Sequence, residues 1–503
     1  MTVIKKHVIV IHCQMRQVFL VFMMTTTVVR AVVAGTAAPR TRVCVIGAGA
    51  GGLIAAKVMR EAGLSVEVYE QASFVGGVWG RKGAVVYEGL RCNLPHQLMA
   101  FRDMPFTEAE SKHKSFARTR DVGEYLERIG KDVFPRLETR VLEVRRGDRW
   151  FVRTTGGEEV FDYVVVANGH YEKPADLEFE NQNAFPGRVA HSRDYDTPDE
   201  FVGKTVICVG ARSSGTDIAK ELVFDGNAER VVVADKGCEA RAEFFGGRLV
   251  RSPPIARLRG DGGVEFADGT TEQNVDAILL CNGFDYDFPF LGDDLVEANG
   301  RAVWPLFLHM FHAEEPSLVF LGIPHSIVPF PLMQIQALLA TRVFSGLVDL
   351  PPLDERRAAV ARHRASLRRE KDAHHMGDLQ FPYCKELLDL AKLDDPADLR
   401  RWHAFIDTNR EIYHHVGRRR PPIPGSPDLY RDLEYVVDHD AGRWACVNER
   451  DVDAAISRLF GTDLRFQLPA TTAGSRGMRG NLEQRAPQLL FSSSSSSSSS
   501  SIG

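Results

Sequence analysis

Two glycine clusters and one asparagine hold the residues of this chain whose types and spacing could do chemistry. Gly47, Gly49 and Gly52 follow an apolar run in a G-x-G-x-x-G arrangement, and Glu70 stands 18 residues beyond Gly52. Glycines so spaced between a strand and a helix bring backbone N–H groups up to a pyrophosphate. The first allows the tight turn, the second the approach of the phosphates, and the third close packing of helix on strand. The helix N-terminus adds about half a positive charge, and a carboxylate at Glu70 can take a ribose hydroxyl. The competing reading is an ordinary tight turn. A second cluster, Gly210-Ala211-Arg212-Ser213-Ser214-Gly215, opens 163 residues after the first. Arg212 takes the middle glycine's place there, so a Rossmann-like unit without a ligand competes with a second dinucleotide site. Asn93, in Asn93-Leu94-Pro95, either closes a turn or presents its amide to a ligand.

Two copies of one β-α-β unit must position these clusters. In the first, a strand over 43–46, a helix over 53–62 stopped by Gly63 and a strand over 65–69 are expected. In the second, the strand is 204–209, the helix begins at 216, and the next strand is 230–234, followed by Asp235 and Lys236. This repeat is the strongest organisational signal in the chain: two units imply two nucleotides. Gly76-Gly77-Val78-Trp79 suits either backbone passing close to a flat ligand or a surface turn before a core tryptophan. Residues 122–134 have helical periodicity, and 138–166 read as hairpin strands turning at Gly156-Gly157. Two buried strands end alike, in Asn168-Gly169-His170 and Asn282-Gly283-Phe284. The first nucleotide domain is therefore read as interrupted by the second and completed after it. Residues 185–195 have the composition of a linker, a helix is expected over 334–344, and residues 353–466 read as mostly helical.

The chain has 503 residues, 44% apolar and 26% charged, with a net charge of −5. That describes a globular protein of two or more domains with no reason to bind nucleic acid. Its cysteines form no C-x-x-C pair, so neither a zinc site nor a disulfide framework is suggested, and a reducing, cytoplasmic compartment fits best. His374-His375 and His414-His415 invite a metal reading. Neighbours on a helix point about 100° apart and do not share a face, so no metal site is assigned. Residues 1–40 are apolar but interrupted by basic side chains, too often for a membrane span. They read as a targeting segment or as an upstream extension of the gene, with the working start near Met23 or Met24, and receive no fold. Residues 467–503, with their serine run, are expected to be disordered.

On these residues the chain resembles the flavin-containing monooxygenases. Phe185-x-Gly187-x-x-x-His191-x-x-x-Tyr195 looks like that family's fingerprint between its two glycine motifs. Gly47, Gly49 and Gly52 match its FAD motif, Glu70 its ribose acid, and Gly77 and Trp79 its G-G-x-W segment. Gly210, Arg212, Ser213, Ser214 and Gly215 match the NADPH motif, and Gln336 its late helix. Asn93 matches the active-site asparagine. The wording around Asn93-Leu94-Pro95 is closest to the plant and fungal branch that oxygenates sulfur. Departures are Arg212 for glycine, asparagine for threonine in both strand-closing motifs, and Asp235 before Lys236.

The resemblance implies an α/β fold with an FAD domain (41–169 and 284–466, the latter part with a helical C-terminal region) interrupted by an NADPH domain (170–283). It implies hydride transfer from NADPH to FAD, a hydroperoxyflavin formed with O₂, and transfer of one oxygen to a soft nitrogen or sulfur nucleophile of a small molecule. It leaves room for a homodimer. Asp235 would favour NADH, while Lys236 and Arg212 suit the 2′-phosphate of NADPH, and the resemblance tips the balance to NADPH. A Baeyer–Villiger monooxygenase shares much of the fingerprint, but the Asn93 segment favours heteroatom oxygenation. A flavin disulfide reductase is discounted, because Cys92 is the only cysteine between Gly52 and Leu137. A non-catalytic FAD-bound sensor or scaffold, its second site disabled by Arg212, is the remaining alternative.

Overall fold

The computed structural model describes residues 40–80, 86–112, 114–421 and 423–460. The readings of residues 1–39 and 467–503 fall outside them. The chain first lays down β1 (Arg42–Ile46), α1 (Ala50–Glu61), β2 (Ser65–Tyr69), α2 (Thr119–Val133) and β3 (Tyr163–Val166). It then forms β4 (Arg188–His191), β5 (Thr205–Val209), α3 (Ser213–Lys220), β6 (Arg230–Ala234), β7 (Ala242–Phe244), β8 (Leu249–Ser252) and β9 (Ala277–Leu280). It returns with β10 (Leu306–Phe307), β11 (Phe311–His312), β12 (Leu318–Phe320) and α4 (Pro329–Phe344). Helices over Leu353–Ser366, Gln380–Ala391, Pro396–Gly417 and Glu449–Phe460 follow.

One sheet runs β2-β1-β3-β12-β11-β10, and the other β7-β8-β6-β5-β9-β4. The first thus takes strands from both sides of the second, which realises the interruption read from the repeated strand-closing motifs. The central strands are parallel: β1 pairs with β2 and β3, and β5 pairs with β6 and β9. Parallel strands covered on both faces need continuous apolar runs. Val43, Cys44, Val45 and Val164 to Val166 are accordingly buried, as are Val206, Ile207, Cys208 and Val231 to Val233. α1 lies between the first sheet and α4, buries Leu53, Ile54, Ala55, Ala56 and Met59, and so fixes the glycine turn that precedes it. A three-stranded antiparallel meander (Val141–Arg146, Trp150–Thr154, Gly157–Phe161) turns at Gly156-Gly157.

Three expectations need correction. Residues 185–195 are not a linker: Arg188–His191 is the edge strand β4, paired in parallel with β9. Its short, mixed sequence lacks the apolar run of a central strand, because among the described residues it is the sheet's edge. α4 starts five residues before the expected helix, since proline is tolerated in a first turn and Pro329 and Pro331 both fall there. α1 and α3 start at Ala50 and Ser213, each inside its glycine turn and three residues before the expected helix.

Candidate active site

The two glycine turns are built alike. The Gly47 N–H donates to the Tyr69 carbonyl at 2.8 Å, and the Gly210 N–H to the Ala234 carbonyl at 2.8 Å. Both residues have positive φ, +102° and +111°. A Cβ on Gly52 would lie 1.9 Å from the Gly47 carbonyl oxygen, and one on Gly215 1.8 Å from that of Gly210. No side chain other than hydrogen fits either place. Neither helix that follows carries a side-chain cap or an acid in its first turn, so its first N–H groups have no intrahelical acceptor. Both cradles fit a diphosphate.

The turns differ at the middle position. Gly49 faces a second layer of backbone: a Cβ there would come within 3.6 Å of the Gly77 Cα, and the Gly76 N–H donates to the Ala48 carbonyl at 2.9 Å. Gly77 opens a 3-10 turn, Gly77–Trp79, with φ +59°, so the two-glycine motif covers the first cradle. Trp79 packs partly buried against the core, and its carbonyl bounds Gly123 of α2. Over the second cradle stand Arg212 and Ser213, both exposed. Ser214 is half-buried.

Glu70 is buried and already holds the first turn. Its carboxylate accepts the Ala48 N–H at 2.7 Å and the Ala72 N–H at 2.8 Å, which leaves lone pairs for a hydroxyl. Gln336 is fully buried, with both ends of its amide paired inside the protein. The oxygen accepts the Gly322 N–H at 3.0 Å, and the nitrogen donates to the Tyr383 hydroxyl at 3.0 Å. Asp235, the acid that argued for NADH, is engaged by Arg251 at 3.0 Å, while Lys236 beside it is exposed.

Asn93 joins the two halves. Its amide nitrogen donates to the Ser213 hydroxyl at 3.2 Å, at the first residue of α3. The fingerprint residues brace the second unit. His191 receives the Arg193 N–H on Nδ1 at 3.1 Å and meets the Gly283 carbonyl with Nε2 at 3.0 Å. Nε2 therefore carries the proton, and burial lowers the pKa of the ring. Tyr195 donates to Glu221 at 2.9 Å, whose pKa burial raises. Gly187 lies where a Cβ would meet the Val275 carbonyl at 2.7 Å. Of the strand-closing asparagines, Asn168 donates to the Asp287 carbonyl and Asn282 to the Ala175 carbonyl, at 2.9 and 2.7 Å.

His414 and His415 lie on the helix Pro396–Gly417 and diverge as helical spacing requires, whereas His374 and His375 lie outside any helix, so that argument does not reach them. His374 is buried against His309 and accepts the Val303 N–H, whereas His415 meets Tyr435 and Glu449 and His414 lies near Asp378. Sequence reasoning missed Asp217, Arg420 and Arg431, which surround Asn93 and Ser213. No motif marks Arg431, because its partner Cys92 lies 339 residues away. Among the described residues no helix is long and apolar enough to cross a membrane.

Comparison with known proteins bears on this arrangement. The profile of the flavin-binding monooxygenase-like family matches residues 40–240 and 242–397. A relative from Arabidopsis thaliana, the flavin-containing monooxygenase FMO GS-OX-like 2, is 32% identical over 438 residues, covering 78% of this chain and 90% of its own. Among solved structures, the S-allyl-L-cysteine S-oxygenase from Allium sativum is 29% identical with a TM-score of 0.71, covering 84% of this chain and 99% of its own. A cyclohexanone monooxygenase in its open form shares the fold, at 14% identity and a TM-score of 0.52 over 70% of this chain and 98% of its own.

Proposed function

The chain belongs to the flavin-containing monooxygenase family, and from that premise we propose that it uses NADPH and O₂ to place one oxygen atom on a soft sulfur centre, a thioether, of a small molecule. A soft amine nitrogen is the neighbouring substrate class for the same chemistry. We assign FAD to the turn of Gly47, Gly49 and Gly52, with Glu70, Gly77 and Trp79, and NADPH to the turn of Gly210 to Gly215 with Lys236. When bound, the two supply hydride transfer and the activation of O₂. The observation that carries the reading is the Asn93–Ser213 hydrogen bond. A neutral amide donor from the first unit there touches the first residue of α3, which supports a role for it between flavin and nicotinamide.

The protein's own part is then to bind, orient and exclude water. The first turn holds a diphosphate under the Gly76-Gly77 layer. Arg212 and Lys236 offer positive charge to a third phosphate, and Arg251 neutralises the acid that would oppose it. Asn93 gives an N–H to charge that builds on the reacting atoms. The preference for sulfur is supported by the likeness to the Allium sativum S-allyl-L-cysteine S-oxygenase, an enzyme named for oxygenating a thioether.

Two measurements test this. Purified protein reconstituted with FAD and given NADPH anaerobically should lose its yellow colour. In air, with a methyl thioether as probe, it should form the sulfoxide at near one per NADPH. A flavin that NADPH does not bleach would instead mark a sensor or scaffold.

A further inference from the structure

A strap of chain after the helix Pro396–Gly417 ties the backbone at Cys92 and Asn93 to the second turn. We propose that Arg431 on that strap and Asp217 on α3 form a positioning pair for Asn93, which sets how much NADPH ends in oxygenated product and how much in hydrogen peroxide. This rests on the monooxygenase reading above.

Arg431 lies in the 3-10 turn Leu429–Asp432 and is only 3% exposed. Its guanidinium spans three partners. Nε donates to the Cys92 carbonyl at 3.1 Å, one terminal nitrogen to Asp217 Oδ2 at 2.8 Å, and the other to Asp428. Lys220, also on α3, reaches Asp428 at 3.4 Å. The strap's backbone is tied down as well, since Arg91 donates to the Arg431 carbonyl at 2.7 Å. Arg420, at the other end of the strap, donates to the Asn93 carbonyl at 3.3 Å.

Two ties therefore run side by side. Cys92 precedes Asn93, and Asp217 stands one helical turn beyond Ser213. The Asn93–Ser213 tie is neutral, long at 3.2 Å and partly exposed. The Cys92–Arg431–Asp217 tie is charge-assisted and buried, and such bonds are the stronger kind. The Asn93 amide carries two N–H groups, and one held on Ser213 fixes where the other points. With the strap bearing the load, that second N–H can reach a reacting atom without the two units drifting apart. Burial lowers the pKa of Arg431, but Asp217 and Asp428 outweigh it and raise the pKa.

Asp217→Asn is the test variant, because Asp428 remains to neutralise the buried arginine. Expected are flavin content and melting temperature close to wild type, substrate KM changed less than twofold, and at least a threefold rise in hydrogen peroxide per NADPH. Amide exchange over residues 90–97 and 213–218 should quicken at least tenfold. Asp217→Glu, which keeps the charge, should recover most of the coupling. Unchanged peroxide yield with faster exchange or a lower melting temperature would make the pair merely structural and overturn the proposal. Unchanged exchange at both segments would overturn it too. If wild type oxidises no NADPH, the monooxygenase reading fails instead, while the exchange measurement still judges the strap.

Discussion

The two glycine turns are near-superposable in design and opposite in cover. Each has a positive-φ glycine bonded to the next strand and a third glycine pressed on the first glycine's carbonyl. Over Gly49 the chain folds a second layer of backbone, the Gly76-Gly77 turn. Over the second turn there is an exposed arginine, Arg212. A ligand under a backbone layer is hard to release, whereas a ligand met by exposed side chains can come and go. On the proposed function the difference would separate a resident cofactor from an exchanging coenzyme, and it sits at the one glycine the second turn lacks. Arg212 would then belong to the second site's job.

The sharpest way to break this comparison is Gly49→Ala. Its Cβ would lie 3.6 Å from the Gly77 Cα, an ordinary contact, so the protein alone tolerates it. Only a diphosphate occupying the same space would be displaced. The variant should purify without yellow colour, and its melting temperature should match that of flavin-free wild type. Full flavin occupancy would show that the first cradle does not hold the diphosphate at Gly49.

Next in size is Asn93→Ala, which removes the donor between the turns. Loss of one transition-state donor costs roughly 10² to 10³ in rate, whereas loss of an ordinary turn bond costs about 1 kcal/mol of stability. Oxygenation should fall at least tenfold, with flavin retained, the melting point near wild type and more hydrogen peroxide per NADPH. A clear drop in melting temperature with unchanged turnover would return Asn93 to the role of a turn residue.

A smaller effect is expected at the second turn's specificity. Asp235 is quenched by Arg251, so Arg251→Met frees a carboxylate where the adenosine ribose would lie. The ratio of kcat/KM for NADPH over NADH should fall about fivefold, equivalent to roughly 1 kcal/mol. An unchanged ratio would mean that Asp235 does not face the coenzyme.

Which parts of this were legible in the sequence follows from range. The glycine turns, their strands and the interruption of one sheet by the other were readable, because each rests on a local run of residues. Asn93 and Ser213 were each singled out, but their contact across the junction was not, since no local pattern encodes it. The edge strand β4 was misread as a linker because an edge strand needs no continuous apolar run. Gln336 matched a motif, yet its amide faces Gly322 and Tyr383. Spacing along a helix says which face a residue takes, not what that face meets.

The smallest expected effect concerns how each unit's central strand closes. The first ends in Asn168-Gly169-His170 and the second in Asn282-Gly283-Phe284. His170 packs against Tyr171 and Tyr286, at ring distances of 4.4 and 5.2 Å. Burial pushes its pKa down to about 4, against a partial upward pull from the Gly322 backbone and a further push from Arg301. In the unfolded chain the ring titrates near its ordinary value of about 6.5. Between those values the unfolded state binds the proton and the folded state does not, so stability is complete above the upper value and falls as pH drops toward the lower one. At pH 5 this amounts to at most about 2 kcal/mol, which in a chain of this size moves the melting point by only a few degrees. His170→Phe makes the two closures alike and removes that share, leaving those of other histidines that burial depresses, among them His96, to about 4, and His309 and His325, to about 3. The drop in melting temperature from pH 7 to pH 5 should therefore be shallower in His170→Phe than in wild type, with equal slopes above pH 7. Identical profiles across the whole range would show that His170 takes up its proton as readily folded as unfolded.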